Sequence, residues 1–178
     1  MVGKRVAHPS LSIIEDPHIP WARASAAFDD EGLPTKKKPL VSGGVMRRHL
    51  YDVRSAALSR DKPTGNGFRV SPTEPPETSV TNITLSPSRK ADVMHESGLF
   101  IRSLMGYHNM NTVTGDFALT IIEGFTLDGG VLDKPIRGCV LRGNVFKALK
   151  DDPHFGKTVI SRDWFNSPRM SFDAEVVK

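Results

Sequence analysis

The sequence predicts an α+β fold of predominantly antiparallel β-structure. We expect a curved or barrel-like sheet built from hairpins, with about three short helices at its margins. Short segments of alternating apolar and polar residues recur between turns rich in glycine and proline. Gly-Gly pairs at 43–44 and 129–130 each separate two such segments, as in β-hairpins. With 178 residues, the chain is expected to form a single domain over 1–178.

The first half of the chain contains the first hairpin signal and the first predicted helix. Asp16 and Pro17 end the first strand, and Gly43 and Gly44 provide the turn of the first hairpin. Asp52 is a suitable N-cap for a short helix in which two alanines favour helical structure. The predicted elements are a strand at 11–14, hairpin arms at 39–41 and 45–51, a helix at 53–59 and a strand at 78–85.

The second half adds two predicted helices and three further strands. Ser86 followed by Pro87 resembles a helix start, and Gly98 is a natural residue to end that helix. Asn144 is a suitable cap for another helix, which Asp152 and Pro153 end. The predicted strands are the two arms around 129–130, which extend to 141, and a final strand at 170–176. We therefore count seven or eight strands and three helices.

The stretch 98–127 combines two strands with a polar loop between them. Its second strand places five apolar residues on one parity, as in a half-buried strand: Phe117, Leu119, Ile121, Phe125 and Leu127. A loop rich in glycine and hydroxyl groups between two strands can present backbone groups to a ligand. An ordinary crossover loop is the alternative interpretation.

Composition restricts the classes of function. The chain is 38% hydrophobic with a net charge of +4 and an isoelectric point near 9.3. No apolar run approaches the ~20 residues of a membrane helix, and no signal peptide is visible. The single cysteine, Cys139, fits a reducing, cytoplasmic environment. We interpret the lysine run at 36–38 as a solvated strand edge, with a nucleic-acid patch as the alternative.

No catalytic site emerges from the residues alone. His95 and Glu96 lack a second histidine at the spacing of a zinc-binding helix, and the other histidines are scattered. Cys139 lies in a buried-strand pattern, which indicates an inert core thiol. The three adjacent acids at 29–31 are interpreted as a turn, with a metal cradle or a clamp for a substrate amine as alternatives. We therefore assign no catalytic residue and no metal ligand.

Several blocks, in order along nearly the whole chain, resemble the TldD/PmbA family, also labelled modulators of DNA gyrase. The blocks are V-G-K-R-V-A-H-P (2–9), D-D-E-G-L-P-T (29–35), H-L-Y-D-V-R-S-A (49–56), P-T-G-N-G-F-R (63–69), G-L-F-I-R-S-L-M-G (98–106), T-V-T-G-D-F (112–117), P-I-R-G (135–138) and R-G-N-V-F-K-A-L (142–149). The chain resembles the C-terminal domain of these proteins, which include zinc-dependent peptidases.

The resemblance implies a function that depends on what this chain lacks. Active members carry an H-E-x-x-x-H helix just upstream of the block at 2–9 and a late cysteine ligand, and the stretch 157–168 contains no cysteine. We therefore expect a non-catalytic subunit or domain of the zinc-free, PmbA/TldE-like type, with no cofactor of its own. Its expected partners are a second copy or a zinc-bearing TldD-like subunit, and unfolded peptides, in a cytoplasmic peptidase complex. Neither a membrane nor nucleic acid is an expected partner.

Two other functions remain open. The chain could be the C-terminal half of a split active zinc peptidase, which the missing cysteine disfavours. It could also be a basic nucleic-acid-binding β-domain, although only 7% of its residues are aromatic.

We predict that the loop 106–116 and the strand from Phe117 line a groove for an extended peptide. The alternative is that Asp116 only caps its own turn. The candidate residues of the groove are Met105, Gly106, Thr114, Gly115 and Asp116, and weaker candidates for the same rim are Asp29, Asp30 and Glu31.

Overall fold

A computed structural model describes residues Met1–Lys178, which form thirteen strands and two α-helices. The strands are β1 (Leu11–Glu15), β2 (Lys38–Ser42), β3 (Val45–Met46), β4 (Gly67–Phe68), β5 (Glu77–Thr78), β6 (Ile83–Pro87), β7 (Gly98–Met105), β8 (Asp116–Asp128), β9 (Val131–Ile136), β10 (Val140–Asn144), β11 (His154–Arg162), β12 (Phe165–Ser171) and β13 (Glu175–Val177). The helices are α1 (Val53–Ser59) and α2 (Val145–Lys150), and a 3₁₀ turn covers Tyr107–Asn109. No helix is long and apolar enough to cross a bilayer.

The strands form three open sheets. A six-stranded sheet has the order β11-β12-β6-β1-β2-β3, and a second sheet has the order β13-β10-β8-β7, with β9 also paired to β8. Strands β4 and β5 form a separate pair. The chain divides into two compact units: unit 1 comprises 1–5, 9–88 and 159–167, and unit 2 comprises 6–8, 89–158 and 168–178.

In unit 1, strand β1 lies between β2 and β6 and pairs with both in antiparallel fashion. Leu11, Val41 and Ile83 are buried here. The predicted first hairpin is confirmed: Gly43 and Gly44 have φ values of 56° and 75° and connect β2 to β3. The second arm is shorter than predicted, because β3 ends at Met46 and the chain then leaves the sheet.

Helix α1 has the predicted range and the predicted cap. Asp52 Oδ1 accepts a hydrogen bond of 2.7 Å from the Ser55 backbone N–H, which satisfies one free donor of the first turn. Thr78 Oγ1 donates to Asp52 Oδ2, and with the Ser55 N–H it holds the pKa of Asp52 below its usual range. The cap therefore also connects α1 to β5.

A buried ion pair lies beneath the loops of unit 1. Glu15, at the end of β1, and Lys38, at the start of β2, have side chains that are 0% and 3% exposed. Lys38 Nζ lies 2.9 Å from Glu15 Oε2, so the two charges form an ion pair. The angles at these two atoms are not those of a hydrogen bond. The same ammonium donates to Asn66 Oδ1 at 2.6 Å and to the Thr64 carbonyl at 2.9 Å. A charge buried this deeply is stable only with such a set of partners.

The second carboxylate oxygen of Glu15 completes this buried cluster. Oε1 accepts hydrogen bonds from Asn66 Nδ2 at 2.6 Å and from the Thr81 N–H at 2.9 Å. Asn66 Nδ2 also donates to the Ser79 carbonyl, so both ends of this amide are engaged. The cluster thus connects β1 and β2 to the loops around 64–66 and 79–81.

The interpretation of the lysine run at 36–38 as one solvated edge is wrong for Lys38. The three side chains have different environments: Lys36 is exposed, Lys37 pairs with Asp16 at 2.8 Å, and Lys38 is buried against Glu15. Composition alone could not show this, because the partner of Lys38 lies 23 positions away in the sequence (38 − 15 = 23) and meets it only through strand pairing.

In unit 2, the long strand β8 organises the sheet. Its first part pairs with β10, its later part pairs with β9, and β7 pairs along 98–105 on the other side. Phe117, Leu119 and Ile121 are buried with Leu141 of β10, as the alternating pattern predicts. Cys139 is partly buried against this cluster, in the connection between β9 and β10 rather than in a strand. Helix α2 begins at the predicted cap, Asn144.

The predicted helix after Ser86 is wrong, so the chain has two α-helices rather than three. Ser86 and Pro87 remain in β6, paired with Ser12 and Leu11 of β1. The alternate burial of Ile83, Leu85 and Pro87 continues through this point, and burial of that face outweighs the local capping signal. The residues that follow form turns and bends.

The predicted barrel-like sheet and the final strand also need correction. The sheets are open rather than closed into a barrel. The chain has thirteen strands rather than seven or eight: β4 and β11 lie where no strand is predicted, and the predicted strands at 78–85 and 170–176 are each divided in two. In place of one strand at 170–176, β12 ends at Ser171, and β13 begins at Glu175 and pairs with β10. Phe172, which lies between β12 and β13 in the sequence, is partly buried against the unit 2 core.

We expect Lys38→Met to destabilise the protein by about 3–5 kcal/mol, because it leaves the Glu15 carboxylate buried without its cation. Lys37→Met is the matched control. Lys37 is 62% exposed, so its ion pair with Asp16 should contribute at most about 1 kcal/mol. Urea unfolding followed by circular dichroism measures both values. Similar small losses in the two variants would show that the buried pair does not stabilise unit 1.

Candidate functional site

The predicted groove residues of the central stretch all lie in unit 2, at one end of strands β7 and β8. Met105 ends β7 and is 55% exposed. Gly106 follows with φ of 96° and precedes the 3₁₀ turn, a conformation that glycine adopts without strain. Thr114 and Gly115 lead into β8, which begins at Asp116. The structure therefore brings these five candidates to the two ends of one connecting loop.

The Asp116 side chain organises the start of β8. Its Oδ2 accepts a hydrogen bond of 2.7 Å from Thr114 Oγ1, and its Oδ1 accepts one of 2.7 Å from Asn144 Nδ2. These donors, Thr114 first, hold the pKa of Asp116 below its usual range. The carboxylate is exposed and ionised at neutral pH, and each oxygen has a further lone-pair direction available for a donor.

The turn at 114–116 is fixed to the start of helix α2. Asn144 Oδ1 caps that helix by accepting from the Phe146 and Lys147 N–H groups, while its Nδ2 donates to Asp116 and to the Thr114 carbonyl. The Val145 N–H donates to the Gly115 carbonyl at 2.8 Å. Gly115 has φ of 81°, and a Cβ there would lie 2.5 Å from Phe146 Cδ2. A glycine is therefore required at this contact.

Strand β7 presents an unpaired edge on the side that faces away from β8. It is the terminal strand of its sheet and pairs only with β8, so its other side carries no strand. Along this eight-residue strand, alternate residues direct their backbone N–H and C=O groups away from β8, at the spacing of an extended peptide. Leu99 and Met105 are exposed on it. This edge can accept an added strand through main-chain hydrogen bonds.

The weaker candidates, Asp29, Asp30 and Glu31, lie in unit 1 and bind the backbone of their own chain. Buried Asp29 accepts from the Glu31 and Leu33 N–H groups through Oδ1 and from the Gly67 N–H through Oδ2. Asp30 Oδ2 accepts from the Arg69 N–H at 2.7 Å. Glu31 Oε2 accepts from the Val53 N–H at 2.8 Å. The three acids form a turn that organises the neighbouring loops.

No set of side chains fits a zinc ion. Nowhere do three or more histidine, cysteine, aspartate or glutamate side chains converge as metal ligands would. His95 and Glu96 point to different partners: His95 lies 3.2 Å from the Gly129 carbonyl, whereas Glu96 contacts His154. The side chains of this chain therefore form no group that fits the zinc of the active family members.

Sequence reasoning missed a polar group in unit 2 around Glu96. Glu96 Oε1 lies 2.7 Å from His154 Nδ1, and its Oε2 accepts from Ser171 Oγ. Burial raises the pKa of Glu96, but the hydrogen bonds from Ser171 and His154 outweigh it and lower the value below the usual range. The only signal in the sequence was the His-Glu pair at 95–96, because Ser171 lies 75 residues away.

Comparisons with known proteins agree with the resemblance. A family model described as the PmbA/TldA metallopeptidase C-terminal domain matches residues 1–178. A metalloprotease TldD homologue of Buchnera aphidicola (subsp. Acyrthosiphon pisum) is 30% identical over 154 residues, which cover 84% of this chain and 32% of the relative. The chain thus spans about a third of the length of that curated relative.

Two solved structures share the fold. A protein of Thermotoga maritima, described as a candidate modulator of a DNA gyrase, superposes with a TM-score of 0.85 at 26% identity, over 99% of this chain and 41% of that one. TldE of Thermococcus kodakarensis superposes with a TM-score of 0.85 at 24% identity, over 99% of this chain and 41% of that one. This similarity shows a shared fold only.

We predict that Gly115→Ala destabilises the protein by about 2–4 kcal/mol, because it combines a positive φ with overlap on Phe146. Gly129→Ala is the matched control. Gly129 also has positive φ, at 55°, but nothing lies within 4 Å of its added Cβ, so only backbone strain of about 1 kcal/mol is expected. Thermal unfolding compares the two. Equal losses would show that the contact with α2 does not constrain the turn.

Proposed function

Because the chain belongs to the PmbA/TldD metallopeptidase family, we propose that it is a non-catalytic, PmbA/TldE-like domain of a cytoplasmic TldD/TldE-type peptidase complex. Its role is to contribute assembly surface and to hold an extended peptide. The observation that carries the second role is the unpaired edge of β7, the terminal strand of its sheet.

The β7 edge suits a peptide without a defined sequence. Every residue of an extended chain offers one N–H and one C=O group, so pairing with a strand edge requires no particular side chains. Gly106 leaves space for a peptide backbone at the end of β7, where nothing lies closer than 3.9 Å to a Cβ placed there. Asp116 is held by Thr114 and Asn144 with acceptor capacity remaining for a peptide N–H or amino group.

The chemistry of peptide cleavage is assigned to a partner. The side chains offer no convergent ligand set for zinc, and the stretch 157–168 contains no cysteine. A zinc-bearing TldD-like subunit is the proposed source of the metal, with a second copy of this chain as the other possible partner. Trp21 supports an assembly surface, since this large side chain is fully exposed on a residue with φ of 62°. Exposed tryptophans are frequent anchors of interfaces.

A second candidate is the C-terminal half of a split, active zinc peptidase. The relative of Buchnera named as a TldD homologue favours it. In that case a histidine pair from another polypeptide would meet ligands of this chain. The absence of a cysteine in 157–168 argues for the zinc-free role instead.

We predict that the purified chain binds no stoichiometric zinc, because its histidines and Cys139 do not converge as tetrahedral ligands. The measurement is elemental analysis after incubation with zinc and dialysis against a mild chelator. One zinc ion retained per chain would contradict the zinc-free assignment and favour the split-peptidase alternative.

We predict that Asp116→Ala raises the KM of the assembled complex for an unfolded peptide by about fivefold with little change in kcat, since one hydrogen bond contributes about 1 kcal/mol. Asp133→Ala, which removes an exposed carboxylate on β9, is the matched control and should leave KM unchanged.

Thermal melts of each variant show whether a change in KM reflects lost folding rather than lost peptide binding. Asp116→Asn is a milder variant, because it retains one side-chain oxygen that can accept from Asn144 or Thr114. If Asp116→Ala and Asp116→Asn both fold and turn over peptide with the parental KM, the turn at 114–116 is scaffolding and not part of the groove.

A further inference from the structure

Unit 1 contains a concave pocket of about 470 Å³ that the peptide function does not use. It lies between the start of β2, the segment after β3 and the loop after α1. We call it the basic pocket, and its principal lining side chains are Lys36, Arg47, Arg48, His49, Tyr51 and Lys62. This volume is within the range of sites for small ligands, about 300–1,000 Å³, and is too small for a nucleic-acid duplex.

The pocket has an uncompensated positive charge. Lys36, Arg47, Arg48 and Lys62 form no ion pair, whereas Asp61 is the only acid in the lining. Four cations against one carboxylate leave a net charge of +3 (4 − 1 = 3), because the charge of Lys38 is neutralised by Glu15. Four exposed cations that line one pocket without ion-pair partners repel one another, and a bound polyanion would relieve this repulsion.

The floor of the pocket is rigid, because the buried cluster of unit 1 holds it from below. The Thr64 carbonyl accepts from Lys38 Nζ, and Thr64 Oγ1 accepts from the Tyr51 N–H at 2.8 Å. Gly65 has φ of 71°, and a Cβ there would lie 2.7 Å from the Pro34 carbonyl oxygen. The loop at 63–65 is therefore packed tightly against 34–35, so a ligand would not need to order it on binding.

One wall of the pocket is aromatic. The rings of His49 and Tyr51 have centroids 6.1 Å apart and planes inclined at 48°, and both line the cavity. Tyr51 is half-buried, which limits its side-chain freedom. An aromatic face beside a group of cations suits a ligand that has both a flat ring and negatively charged groups.

We propose that the basic pocket binds a small diphosphate-bearing anion of the nucleotide class, with its phosphates on Arg47, Arg48, Lys36 and Lys62 and its base against Tyr51. Arginine forks match phosphate oxygens in bidentate geometry, and the adjacent pair at 47–48 is placed for this role. This site lies in unit 1 and is independent of the proposed peptide edge in unit 2.

Isothermal titration calorimetry of the full chain with ADP and with inorganic pyrophosphate tests the proposal. We expect both probes to bind with one site per chain and to bind more weakly as salt is raised. The double variant Arg47→Ala/Arg48→Ala should lose about tenfold or more of the affinity for both probes. Arg54→Ala is the matched control: Arg54 is exposed on α1, outside the pocket, and its removal should leave both affinities unchanged.

Tyr51→Leu distinguishes a nucleotide from its inorganic part. It should weaken ADP binding several-fold and leave pyrophosphate binding intact, which also shows that the variant is folded. Equal ADP affinity in Tyr51→Leu would overturn the nucleotide assignment. The site itself would be overturned if neither ADP nor pyrophosphate bound, or if Arg54→Ala lost as much affinity as the double arginine variant. It would also be overturned if citrate bound as tightly as pyrophosphate, because the attraction would then reflect charge alone.

Discussion

The buried ion pair between Glu15 and Lys38 is the interaction on which unit 1 depends. Removing two charges from water is costly, and the cost is offset only because Asn66, Thr64 and Thr81 supply hydrogen bonds to both groups. The two charged residues lie on strands β1 and β2, and their hydrogen-bond partners lie in two irregular loops. The long connection between α1 and β6, which contains little regular structure, thereby acquires a fixed path. The basic pocket lies on the solvent side of this cluster, so its floor is defined by the same contacts.

Unit 2 uses a related arrangement at its surface. Asn144 is the N-cap of α2 and also the partner of Asp116, so a single amide connects a helix start to a strand start. Gly115 allows the close approach that this connection needs. The result is a rigid turn at the start of β8, and the unpaired edge of β7 is a second feature of the same sheet. In the proposed function the turn positions a carboxylate, and the edge provides the backbone groups that a peptide of any sequence can pair with.

Elements with local causes were predictable from the sequence. The caps at Asp52 and Asn144 gave the starts of both helices, and two Gly-Gly pairs gave two hairpins. Elements decided by distant partners were not. Ser86 and Pro87 have a helix-start signal, yet pairing with β1 keeps them in a strand. The roles of Lys38 and Glu96 were invisible because Glu15, His154 and Ser171 meet them only in the folded chain. The candidate turn at 114–116 was recognised, whereas its attachment to α2 was not.

The central functional claim is that an extended peptide pairs with the β7 edge. Hydrogen exchange measured by mass spectrometry, on the full chain with and without an unfolded peptide, tests it most directly. The account predicts slower exchange in Gly98–Met105 when the peptide is present, with no change in the acidic turn at 29–31, whose carboxylates already bind their own backbone. Unchanged exchange in β7, or slower exchange only in the acidic turn, would contradict the claim.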